Sequence, residues 1–313
     1  MSGEVTRLET GQRAQRETSE DVTVVPLRHP WRWVAAALIV LFTFWVVRVL
    51  VTTEAFEWDV VADYLFDPSV VNGVLKTLLM TVLAMAVGVT LGTLVAVMRL
   101  SVNPVLNSVA AFYQWFFRGT PTLVQLIFWF NLSSVFPRIE LSLFGFEFVN
   151  VSSNDVMTPF VAALLGLGLN FSAYYSEIVR AGILSVDEGQ SDAASAYGLS
   201  RAQTLRHIVM PQAMRVIIPP TGNETIGMLK WTSLATVISY TELLHSVQAI
   251  YNLTYEIIPL LIVAAIWYLF LTSILSIGQY FIEKRFARGT QRNPNPSWIA
   301  AAFTSIWGRV RSA

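Results

Sequence analysis

The chain has no cysteine and only three lysines, Lys76, Lys230 and Lys284. Without thiols, disulfides, thiolate nucleophiles and cysteine-ligated metals are excluded. None of the lysines closes a GxxxxGK loop, so the chain has no P-loop for ATP. The three histidines, His29, His207 and His245, stand far apart and form no HExxH pair, and no GxSxG elbow occurs. Charge is scarce as well. Charged residues make up 13% of the chain, against roughly 25% in a soluble domain. Lys+Arg and Asp+Glu number 21 each. The net charge of zero removes the basic surface that nucleic-acid binding needs.

What is there is apolar, at 54% of residues, and it is gathered in blocks. Residues 77–98, 156–176 and 257–282 contain no charged side chain. A bilayer core about 30 Å thick takes about 20 helical residues to cross. The blocks therefore predict an all-α integral membrane bundle. Six crossings are proposed: 33–53 (with Arg48 snorkelling to the outer surface), 72–98, 119–136, 156–178, 216–240 and 257–282. The stretch 104–118 is amphipathic and suits the membrane interface. The fifth crossing contains Glu224, Lys230 and the pair Pro219-Pro220, which is expected to break the helix and leave unwound carbonyls facing a cavity. Residues 1–30 read as a disordered cytoplasmic tail, 31–55 as an extra N-terminal crossing and 286–313 as a C-terminal tail.

Orientation follows from the basic residues of the loops. With the N-terminus inside, segments 1–33, 99–118, 180–215 and 284–313 hold 5, 2, 4 and 6 Lys/Arg, 17 in all. The outer segments 54–71, 137–155 and 241–256 hold 0, 1 and 0. That asymmetry predicts cytoplasmic termini. In the second crossing, Ala84, Gly88 and Gly92 lie four apart on one face, which lets another backbone approach closely. The stripe serves either packing within the bundle or a dimer contact.

Segment 177–211, EIVRAGILSVDEGQSDAASAYGLSRAQTLRHIVMP, is longer than a connector needs to be. Asp187 to Ala196 reads as a short helix. Gly198 supplies a left-handed turn. Ser200 caps a second helix to about Met210, and Pro211 ends it. The small residues Ala193 and Ala194 and the charge of Asp192 form a knob on the inner face. By residue chemistry alone the knob either enters a groove on a partner or merely stabilises the fold.

The pattern Asp192-Ala193-Ala194, three residues, Gly198, nine residues, Ile208, one residue, Met210-Pro211 resembles the EAA loop of binding-protein-dependent ABC importer permeases. That family has Glu at the Asp192 position and usually Leu at the Met210 position. Flanking residues resemble its polar amino-acid (histidine/glutamine-type) branch. They are Glu177 to Ile183, Ser185-Val186, Gly189-Gln190, Pro211 to Arg215, Pro219-Pro220, Asn223 and Leu229 to Leu234 (the family usually has Asp where Trp231 stands). Upstream, Arg118-Gly119-Thr120-Pro121 and Gln125-Leu126 match as well. The resemblance covers about 65–285, with the coupling loop at 186–211.

The resemblance implies the transmembrane subunit of a type I ABC importer with a MetI-like fold. It implies a second permease subunit, identical or paralogous, two ATPase subunits on the inner face, and an external solute-binding protein. ATP would be bound by the partner, with no cofactor or metal in this chain. Asp192, Ala193, Ala194, Gly198 and Pro211 would couple to the ATPase. Asn223, Glu224, Lys230, Thr232 and Ser233 are the candidate substrate pathway, because intramembrane charges are functional candidates. A zwitterionic amino acid needs both an anionic and a cationic partner. The competing readings are a permease for another solute, a self-contained secondary transporter, and an intramembrane enzyme.

Overall fold

A computed structural model describes residues 30–143 and 146–286; the proposed N-terminal tail, apart from Pro30, and nearly all of the C-terminal tail lie outside them. Helix α1 (Pro30–Thr52) and a 3-10 turn, Glu54–Phe56, form a unit of their own, and no residue of the helix's most apolar window is buried. A second unit begins at Glu57. It contains α2 (Trp58–Leu65), α3 (Pro68–Arg99), α4 (Pro104–Gly119), α5 (Thr122–Phe130), strands β1 (Arg138–Leu143) and β2 (Phe146–Ser152), α6 (Ser153–Val156) and α7 (Pro159–Leu184). It continues with α8 (Glu188–Ala196), α9 (Arg201–Thr204), α10 (Met210–Trp231), α11 (Leu243–Thr254) and α12 (Ile257–Phe286). Among the described residues α1, α3 and α12 are long and apolar enough to cross a membrane by length and composition.

Local chemistry sets where these helices start. Asp67 accepts from Ser69 N at 2.7 Å and Pro68 takes the first helical position of α3. Asn103 and Thr158 cap α4 and α7 in the same way, each followed by proline. Between α3 and α7 the small stripe does its packing. Ala84, Gly88 and Gly92 are buried. A Cβ at Gly92 would stand 2.6 Å from the Ser172 carbonyl oxygen, and one at Gly88 would meet the Phe171 ring. The stripe is therefore filled within one chain and is not a dimer contact.

The third proposed crossing is corrected. Residues 119–136 do not form one helix. Thr120 is extended (φ −113°, ψ 140°), as the residue before a proline prefers. The helix resumes at Thr122 for only nine residues, about 14 Å and too short to span a bilayer alone. The carbonyls at the break are taken by side chains. Thr120 Oγ1 donates to Phe116 O at 2.9 Å, and Gln125 Nε2 donates to Phe117 O at 3.0 Å and Thr120 O at 3.1 Å. Asn170 Nδ2 reaches Phe117 O from α7 at 2.8 Å. A second departure lies in the proposed outer loop 137–155, where β1 and β2 pair as an antiparallel hairpin that a purely helical reading omits.

The fifth proposed crossing also differs. α10 runs unbroken through Pro219 and Pro220. The expected unwinding is absent because neighbouring helices hold the segment. Gln279 of α12 donates Nε2 to Pro219 O at 2.7 Å, and Ile217 is buried, 1% exposed. Adjacent residues of α10 face two separate cores. Met228 joins Met80, Leu167 and Phe171, whereas Leu229 joins Val70, Leu243 and Leu260. Inside a bilayer such contacts act through close packing rather than water exclusion.

Candidate functional site

The elbow between α7 and α10 is fixed at every joint. Asp187 Oδ1 accepts from Gly189 N at 2.8 Å and starts α8. At the other end Gly198 has φ +78°, the left-handed region that favours glycine. Gly198 N donates to Ser195 O at 3.0 Å and Leu199 N to Ala194 O at 3.1 Å. These two bonds form a Schellman motif. Two residues later a capping box starts α9: Gln203 Oε1 accepts from Ser200 N at 2.9 Å and Ser200 Oγ from Gln203 N at 3.4 Å. The expected turn at Gly198 and cap at Ser200 are both present.

Pro211 does not end the second helix. α9 passes through a π turn, Leu205–Val209, directly into α10. Pro211 lacks an N–H, and its ring would collide with the His207 carbonyl in a regular helix. The wider turn relieves that conflict. Side chains add donors along this stretch: Gln212 Nε2 donates to Ile208 O at 3.0 Å, and Thr204 Oγ1 joins the Thr204 amide on Ser200 O at 3.1 Å. Residues 201–231 are thus one helical rod about 46 Å long.

The knob residues divide. Ala194 is buried, 3% exposed, so it packs within the chain rather than presenting itself to a cleft. Ala193 and Gly198 are exposed, as is Asp192, which with Arg201 lines a cavity of about 670 Å³ between the elbow and the end of α3. At the apex stands Tyr197, 87% exposed. Sequence reasoning passed over it; an aromatic beside the turning glycine was the available signal.

Farther along the rod, Asn223 and Lys230 are exposed and lie seven apart on one face, with Gly227 between them. Glu224 is half-buried, and among the described residues it forms no ion pair with Lys230 or any other base. Thr232 does not join this surface. It is fully buried, and its hydroxyl donates to Leu229 O at 2.7 Å. Ser233 donates to Lys230 O at 2.7 Å. The structure thus brings Asn223 and Lys230 together and removes Thr232 from the set.

One polar residue escaped the sequence reading. Glu242 is fully buried, and no basic residue pairs with it among those described. Its Oε1 accepts from Thr236 Oγ1 at 3.0 Å and His245 N at 2.8 Å. Its Oε2 accepts from Leu244 N and Tyr268 Oη, each at 2.9 Å. The carboxylate caps α11 and ties it to α12. Four donors offset a burial that would otherwise be prohibitive.

Residues 88–288 match the family described as binding-protein-dependent transport system inner membrane component. The chain is 46% identical over 296 residues to the arginine transport system permease protein ArgU of Corynebacterium glutamicum, covering 94% of this chain and 92% of that one. It is 37% identical over 236 residues to the L-cystine transport system permease protein TcyB of Bacillus subtilis, covering 75% and 93%. Among solved structures, an amino acid ABC transporter crystallised with histidines superposes with a TM-score of 0.61 at 33% identity, over 70% of this chain and 95% of that one. An inward-facing MetNI methionine ABC transporter superposes at 0.55 with 17% identity, over 70% and 96%, and speaks to fold alone. With the family matched across most of its length, and with relatives that are transport permease subunits, this chain belongs to the inner membrane components of binding-protein-dependent transport systems, in the branch of amino-acid ABC permeases.

Proposed function

We propose that this chain is the membrane-spanning subunit through which an ATP-driven importer moves a polar amino acid inward across the plasma membrane, with arginine the first substrate to test. Two such subunits, identical or paralogous, would enclose the pathway. Two ATPase subunits would grip the elbow from the cytoplasm, and an external binding protein would deliver the solute. ATP would sit in the partner, and this chain would carry no cofactor and no catalysis of its own.

The observation that supports this reading is the continuity of residues 201–231. The rod starts at the capped elbow and passes the exposed pair Asn223 and Lys230 on its way to Trp231. Movement at the elbow would be carried toward the pathway along this continuous helix, through the π turn at Leu205–Val209. Closure of the ATPase on ATP would favour one orientation of the rod, and the loaded binding protein would bias the same equilibrium. Lys230 would take the substrate carboxylate, and Asn223 with Glu224 would take its cationic end. Asp192 and Tyr197 would meet the ATPase, and Gly198 would hold the turn.

The test is uptake into proteoliposomes containing the chain, its ATPase and its binding protein. Arginine, glutamine, histidine and cystine are supplied in turn with internal or external ATP. Uptake of one of them, dependent on ATP on the elbow's side and on the binding protein, is the expected result. Uptake without the ATPase would replace this reading with a self-contained transporter.

A further inference from the structure

A pocket of about 510 Å³ opens at the elbow end of the bundle, between α3, α4 and α7. Its level is set by α3. Arg99 lines the pocket, while Leu100 and Ser101 line the cavity under the elbow. α4 contributes Ala111, Gln114, Trp115 and Arg118, at the spacing that puts them on one helical face. On the neighbouring stripe of α4, Phe112 and Phe116 are exposed, with ring centroids 5.7 Å (Phe112 to Trp115) and 6.4 Å (Phe112 to Phe116) apart. The pocket is thus bordered by an aromatic strip with the character of a membrane interface.

Its charge is positive on balance. The Arg118 guanidinium lies 5.4 Å from the Tyr174 ring centroid, and Arg99 donates to the Asn107 side chain. Among the described residues neither arginine forms an ion pair. The acid that lines the pocket, Glu177, is already held by Arg180, with Nη2 to Oε2 at 2.9 Å. Two guanidinium groups therefore share one hollow with a single carboxylate, which Arg180 already engages, so the pocket keeps an excess of positive charge.

We propose that this pocket holds the phosphate of an anionic phospholipid of the inner leaflet. Arg99 and Arg118 are its cationic partners, the Trp115 ring borders the glycerol region, and the acyl chains run along Phe112 and Phe116. Guanidinium groups match phosphate oxygens in geometry, and basic pockets between membrane helices on the cytoplasmic side suit acidic headgroups. The proposal rests on the importer reading only for the orientation of the elbow end. Its test reads lipid binding, not transport, so the two fail separately.

The assembled transporter, with its ATPase, is placed in phosphatidylcholine nanodiscs. Dibrominated phosphatidylglycerol or dibrominated phosphatidylcholine is then titrated in. Quenching of Trp115 is obtained by subtracting the signal of W115F. Phosphatidylglycerol is expected to quench at about twenty-fivefold lower mole fraction, about fivefold for each of the two basic residues. R99Q/R118Q should lose that preference and R99K/R118K should keep most of it. Ala111→Trp, which narrows the pocket without touching either guanidinium, should lose it too. Equal quenching by the two lipids in the parent protein overturns the proposal, as when a second subunit covers α4. So does an undiminished preference in both R99Q/R118Q and Ala111→Trp. Displacement of the lipid by millimolar glycerol 3-phosphate would instead make this a site for soluble phosphate, and would refute the lipid assignment.

Discussion

Tyr268 of α12 donates its phenolic proton to Glu242 Oε2 at 2.9 Å, joining two helices across a fully buried carboxylate. Glu242→Ala would strand four donors: Tyr268, Thr236, and the backbone amides of Leu244 and His245. A loss on the order of 3 kcal/mol is expected, read by denaturant titration of the purified protein. Tyr268→Phe removes a single donor to the carboxylate and should cost about 1.5–3 kcal/mol.

Gly198→Val places a β-branched residue at φ +78°. Strain of about 1–3 kcal/mol must be relieved by reshaping the Schellman turn. Insertion and assembly with the ATPase should survive, while ATP-driven uptake falls at least tenfold. Parent-level uptake by this variant would refute the elbow as the coupling element.

Gly92→Ala sets a methyl group against the Ser172 carbonyl, which is backbone and has little room to yield. Overpacking of this kind costs about 1–3 kcal/mol. A lowered melting temperature in detergent, with unchanged orientation in the membrane, is the expected outcome.

Lys230→Ala removes the proposed partner of the substrate carboxylate. A charge-assisted hydrogen bond is worth about 1.5–3 kcal/mol, so the KM for uptake should rise at least tenfold. ATPase activity without substrate should change little. The reverse pattern, unchanged KM with altered basal ATPase, would move Lys230 from the pathway to the gating machinery.

Because the chain has no cysteine, single introduced thiols report sidedness directly. Ser195→Cys lies on the exposed part of α8. It should react with a membrane-impermeant maleimide only in inside-out vesicles. Labelling from the outer face would overturn the orientation and, with it, any docking of an ATPase to the elbow.

The elbow was legible because its determinants are local. Asp187, Gly198 and Ser200 act within four residues of themselves, so capping chemistry written in the sequence reappears in the fold. The prolines were misread for the opposite reason. Pro211 is accommodated by a π turn, and Pro219 and Pro220 by contacts from α12, and neither device has a signature in the adjacent sequence. The boundary between 104–118 and the third crossing was legible in Arg118-Gly119-Thr120-Pro121, but the apolar residues beyond Phe130 hid how soon the following helix ends. Glu242 was missed because its donors arrive partly from a helix 26 residues away. Thr232 and Ala194 were assigned outward roles from their neighbours in the motif, although the face each turns to the core depends on tertiary packing.

The interruption at Thr120-Pro121 carries a further consequence. An interrupted helix leaves peptide oxygens that solvent would otherwise have to satisfy. Here Thr120, Gln125 and Asn170 occupy the oxygens of Phe116, Phe117 and Thr120. The polypeptide's own amides and a hydroxyl satisfy those three acceptors, so the helix is interrupted without leaving them to solvent.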